Sequence, residues 1–148
     1  MNLLNTVLGI ENPAPALLSP AEAFAAITLA TTASDGYLSN EQALCISSVL
    51  YRINLFKSYT DELMNGLFDK ILGILRQDGF NSLFNAAKES LSQDLREAAF
   101  AVATDLILAE GVVTEDEKNF LIDLSQALSI SSEIAIQIMQ VMMIKNQG

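Results

Sequence analysis

The sequence predicts an all-α protein, a single compact bundle of about seven helices with a pseudo-two-fold helix–loop–helix repeat. Three observations lead there. Apolar residues recur at three- and four-residue spacing, with no strand-like alternation. Serine or threonine caps and glycine stops punctuate the chain, which holds only three prolines. An acidic stretch, Asp35-Gly36-Tyr37-Leu38-Ser39-Asn40-Glu41-Gln42, returns 75 positions later as Glu110-Gly111-Val112-Val113-Thr114-Glu115-Asp116-Glu117.

Each element has a local cause. Residues 2–9 read as a short apolar turn or helix. Pro13, Pro15 and Pro20 make the stretch from Glu11 to Pro20 an extended connector. This divides the chain into an N-terminal segment, 1–19, and a helical domain, 20–148. Ser19 at N-cap, Pro20 at N1 and Glu22 at N3 start the first helix, which carries Phe24, Ile27 and Leu29 to about Ser34. Ser39 with Gln42 forms a capping box for the second, which runs through Leu44, Cys45, Val49 and Ile53 to about Asn54. Thr60 caps the third, with Asp61 and Glu62 in its first turn. Leu63, Leu67, Ile71 and Leu75 form its apolar stripe, flanked by Met64, Phe68 and Leu72. Gly79 stops it, and a shorter helix follows from about Asn81 to Leu91. Ser92 or Gln93 opens the fifth, to about Ala109. Thr114 with Glu117 opens the sixth, with Phe120, Leu121, Leu124 and Leu128 inward. Ser131 opens the seventh, to about Ile144. The linkers are short, as one bundle requires.

Composition excludes several classes of function. The 148 residues are 51% apolar and 18% charged, enough for a sizeable core. A net charge of −10 disfavours nucleic acid and anionic membranes, and favours cations and basic partners. No Lys or Arg precedes Arg52, whereas Asp105 to Asp123 sets six acids against Lys118 alone. The absence of histidine removes His-based triads and His-containing zinc sites. Cys45 is the sole cysteine; a reducing, cytoplasmic setting is expected, with a buried, inert thiol. No apolar run reaches the ~18 residues of a spanning helix, so no membrane insertion is expected.

The two acidic loops carry what functional signal there is. Gly36 and Gly111 can take positive φ and turn the chain sharply. Leu38 and Val113 staple the next helix, and Ser39 and Thr114 cap it. Those features alone build a helix–loop–helix. Asp35 and Glu110 are left over, since each sits at a helix C-terminus, the unfavourable end for an anion. With Gln42 and Glu117 from the next first turn, they make an oxygen set suited to Ca²⁺ or Mg²⁺. Glu41, Asp105 and Asp116 are secondary ligand candidates, although Asp105 also suits pairing with a base. The spacing is not that of an EF-hand.

At these residues the chain resembles the TerB-like family of tellurite-resistance helical domains, over about residues 20–145. Members carry two Asp-Gly loops, each followed after five residues by a Glu that opens a helix. The resemblance implies that the loops come together and that their acids form a metal site. By position, Asp35 and Glu110 are the acids before glycine, and Gln42 and Glu117 open the helices. Glu110 stands where the family has Asp, and Gln42 where it has Glu. The change to Gln42 keeps an oxygen and loses a charge.

Two functions are thereby expected. One is a non-catalytic acidic module binding a divalent cation at the paired loops, with a role in tellurite resistance or stress response that the resemblance implies. The other is a metal-free interaction domain that docks a basic protein partner. The sequence leaves the partner's identity and homo-oligomerisation open. Nothing in it calls for an enzyme.

Overall fold

The helix that begins at Pro20 is buried almost all round. A computed structural model describes residues 18–33, 35–109, 111 and 113–147 of the chain. The expected turn at residues 2–9 lies outside the described residues. In α1 (Pro20–Thr32) every side chain from Ala23 to Ala30 is buried. Its alanines let neighbouring helices approach closely on more than one side. The Ser19 capping box forms as expected: the Glu22 N–H donates to Ser19 Oγ at 3.1 Å, and the Ser19 N–H donates to Glu22 Oε1 at 2.9 Å.

Five further helices follow: α2 (Asn40–Leu50), α3 (Asp61–Glu89), α4 (Gln93–Leu108), α5 (Glu115–Ala127) and α6 (Ser132–Lys145), with a 3₁₀ helix at Asn54–Phe56. No strand occurs among the described residues. α1 packs chiefly against α3 and α4, and α4 packs in turn against α6. α2 leans on α1, while α5 touches α4 and α6. Thr28 and Thr104 are buried in α1 and α4, where their hydroxyls donate back to the carbonyls of Ala25 and Phe100 at 2.9 and 2.8 Å. No buried side-chain nitrogen or oxygen among the described residues lacks a partner.

Two sequence expectations need correction. The break expected at Gly79 is present: the backbone leaves helical space there (φ 88°, ψ 169°), and the third and fourth expected helices abut across this kink with no loop between them. Taken together as α3, they bring the α-helices among the described residues to six, against the seven expected. The second helix ends at Leu50, several residues early. A turn and the 3₁₀ helix then place Phe56 in the core, where its ring meets Phe24 edge-on at 6.1 Å. Cys45 is exposed. α2 buries only Ile46 and Leu50, and Cys45, one residue from Ile46, points about 100° away.

α5 ends on a Schellman motif. The Ile130 N–H donates to the Ser125 carbonyl at 2.9 Å and the Ser129 N–H to that of Gln126 at 3.0 Å. The left-handed position belongs to Ser129, with φ 60°. α6 is apolar yet buries only Ala135; Met139 and Met142 are half-buried and Met143 is exposed. No helix among the described residues is long and apolar enough to cross a membrane.

Candidate functional site

The two acidic loops are built alike. In each, the glycine takes positive φ, 86° at Gly36 and 104° at Gly111. The glycine N–H donates to the carbonyl three residues back, Ala33 at 2.8 Å and Leu108 at 3.2 Å. A capping box closes each loop. Ser39 N–H donates to Gln42 Oε1 at 2.9 Å, and Thr114 N–H to Glu117 Oε1 at 3.0 Å. Gln42 and Glu117 return the bond through their own N–H groups, each at 3.1 Å. Glu110 and Val112 lie outside the described residues.

Beyond this shared frame the loops differ. Arg76, on α3, reaches over the first: its guanidinium donates to the Gly36 carbonyl at 2.7 Å and lies 5.1 Å from the centre of the Tyr37 ring. Asp35 Oδ1 accepts the Tyr37 N–H at 3.0 Å, an Asx turn that keeps this carboxylate at its own loop. Nothing among the described residues lies within 4 Å of a side-chain carbon built on Gly111, so the second loop has no counterpart of Arg76 there.

Both capping residues border one cleft of about 790 Å³. Its polar lining is Thr31, Thr32, Gln42, Cys45, Asp116 and Glu117. Its apolar walls include Ile46, Phe80, Leu106, Ile107 and Phe120. The last turns of α1 and α4 contribute to it, and neither carries a base. α5 begins there with Glu115, Asp116 and Glu117 in its first turn. The negative last turns of α1 and α4 meet the positive first turns of α2 and α5 here, so the carboxylates of α5 set the sign and favour positive charge at this end of the bundle.

The expected ligand candidates therefore divide. Gln42, Glu117 and Asp116 line the cleft. Asp35 and Glu41 are exposed and stand outside it. Asp105 turns to the end of α6, where Oδ1 accepts from Asn146 Nδ2 at 2.8 Å and Lys145 Nζ at 3.2 Å. For a metal, the donors fit in kind, being carboxylate, amide and hydroxyl oxygens. They are few in number: no group of three Asp, Glu or Cys side chains suited to a metal occurs among the described residues.

Sequence reasoning missed Arg76, Phe80 and the exposed face of Cys45. No local signal marks the first two, since α3 brings them in from 40 residues beyond the first loop. Thr31 and Thr32 were visible as a hydroxyl pair just before Asp35, with nothing to tell which way they face. Comparisons with protein-family models, curated proteins and solved structures return no match for this chain.

Proposed function

We propose that this chain is a non-catalytic, acidic helical module of the TerB-like kind. It takes a divalent cation, Ca²⁺ or Mg²⁺, at the end of the bundle where the two loops meet the cleft. On this reading it works in the cytoplasm, in tellurite resistance or a related stress response, by assembly with other proteins. One observation carries the reading: Gln42 and Glu117, from loops 75 residues apart, border the same cleft. A pseudo-two-fold repeat is part of this reading, supported by the packing of α1 on α2 and α3, of α4 on α5 and α6, and of α1 on α4 between them.

Within this reading the second loop is the cation side. Gly36 already gives its carbonyl to the Arg76 guanidinium, a cation supplied by the chain itself. No described residue crowds Gly111, and Asp116 and Glu117 follow it five and six positions on. The test is thermal unfolding with added Ca²⁺ or Mg²⁺. Cation at about 100 times its Kd stabilises the fold by about 2.7 kcal/mol. Glu110→Gln with Glu117→Gln should abolish the shift, and Asp35→Asn should keep it. No shift at millimolar concentrations of either ion would overturn the reading.

The alternative is metal-free docking of a basic partner. Two observations support it: the only side-chain oxygen of Gln42 and one of the two of Glu117 are held by the caps, and apolar side chains make up much of the wall.

A further inference from the structure

We propose that the cleft is the docking site for a short segment of a partner protein in which arginine alternates with aliphatic residues. The inference rests on the second reading above and gives it a place and a chemistry.

Three features select this occupant. The first is size. At about 790 Å³ the cleft is in the range of sites that enclose an organic ligand, far beyond what one bare ion fills. The second is the wall. Ile46, Leu106, Ile107, Phe80 and Phe120 present apolar surface that a metal ion would leave wet, and aliphatic side chains would cover it. The third is charge. Asp116 and Glu117 line the cleft, and no Lys or Arg does. The last turns of α1 and α4 open there with no base of their own. The chain's charge of −10 draws a basic segment in from a distance.

Arginine fits these features better than lysine. Its guanidinium pairs with a carboxylate through two parallel hydrogen bonds and also stacks on aromatic faces. Phe80 and Phe120 supply the rings. Phe80 is already held, stacked on Phe84 at 5.7 Å with 11° between the planes, so this wall is ordered in advance.

The chain carries its own reporter. Cys45 is the only cysteine, is exposed and lines the cleft, so an occupant shields its thiol. The full chain is treated with iodoacetamide, a neutral reagent, with and without an end-blocked peptide that alternates arginine and leucine. The expected result is a saturable slowing of Cys45 alkylation by about tenfold or more, equivalent to about 1.4 kcal/mol of protection. Asp116→Asn with Glu117→Gln should weaken the peptide by a similar factor. Glu117→Gln keeps the helix start, because Gln42 makes the same capping box in the first loop, and Asp116 takes no part in the box.

Absence of protection would overturn the proposal, as would equal protection by a glutamate–leucine peptide. Full protection by Ca²⁺ or Mg²⁺ alone would also overturn it, and would uphold the cation reading. Peptide binding seen by calorimetry with no shielding of Cys45 would remove the cleft from the proposal while leaving a basic partner in place. Protection by the arginine–leucine peptide but not by free arginine amide supports it, since the apolar walls are then in use.

Discussion

Arg76 and Gly36 are locked together: the arginine donates to the glycine carbonyl at 2.7 Å, and its stem packs against the glycine α-carbon. A side chain at Gly36 would run into Arg76 Cγ and crowd the Arg76 backbone nitrogen at 3.3 Å. The backbone there also has φ 86°, which L-residues avoid. Gly111 has the same kind of φ, 104°, and no described residue lies within 4 Å of a side-chain carbon built there.

The two glycines therefore separate strain from crowding. Gly111→Ala is expected to cost about 1–2 kcal/mol, the strain alone. Gly36→Ala should cost more, about 2–4 kcal/mol, because overpacking is added. Arg76→Ala should recover part of the Gly36→Ala loss, with a coupling above about 0.5 kcal/mol. Urea unfolding of the four variants and the parent measures this. Additive losses would show that the arginine stem does not constrain the loop.

Acid should weaken the start of α1 through Glu22. Burial by itself raises this carboxyl, but the hydrogen bond from Lys70, those from Ser19 and the charge of Lys70 outweigh it, so the folded pKa lies below the ordinary value. The ion pair spans 2.8 Å. A folded pKa that is depressed contributes stability above the unfolded value of about 4.3, and this is lost as pH falls through the folded value. Lys70 is 42% exposed, so solvent screening keeps the contribution at about 1 kcal/mol or less. Glu22→Gln preserves the cap and removes the charge. The variant should be less stable at neutral pH and match the parent in acid, below the folded pKa. An undiminished gap there would place the effect in packing and not in ionisation.

Helix starts were legible because their causes are local. Ser19, Ser39, Thr60, Thr114 and Ser131 each cap the helix expected of them, and a cap needs only its own residue and a backbone N–H two or three positions on. What needs a distant neighbour was not legible. α1 is enclosed because α3 and α4 both come to it, and its Ala-rich sequence only permits that. Cys45 was placed inward because apolar residues surround it in sequence, whereas α2 buries a single narrow edge. In the site, the chain order gave both loops and their caps. It could not give the wall, because Phe80 and Arg76 arrive from α3.

Ser129 offers a gain in stability. It holds the left-handed position of the Schellman motif after α5, at φ 60°, and it is exposed. An L-residue there loses about 1–2 kcal/mol relative to its preferred region, and glycine does not. Ser129→Gly should raise stability by about 0.5–1 kcal/mol after the entropy that glycine gains in the unfolded chain is allowed for. Thermal unfolding would show it as an upward shift. A downward shift would mean that the Ser129 side chain makes a stabilising contact that outweighs the strain.

Asp105 tests whether the C-terminal end of α6 is held by chemistry separate from the site. Its Oδ1 accepts from both Lys145 and Asn146, and Asn146 Nδ2 also donates to the Met142 carbonyl at 2.8 Å. These bonds tie the last turn of α6 to α4, a helix end with few other attachments. Asp105→Ala should cost about 1 kcal/mol, since Asp105 is only 18% exposed while Lys145 is 55% exposed and screened. Amide exchange near residues 142–146 should quicken, because the released turn opens locally. If a cation binds at the cleft, its effect on unfolding should persist in this variant, since both hydrogen bonds point Asp105 at α6. Loss of the cation response together with unchanged exchange in the last turn would instead make Asp105 a ligand, and would reverse its assignment to the end of α6.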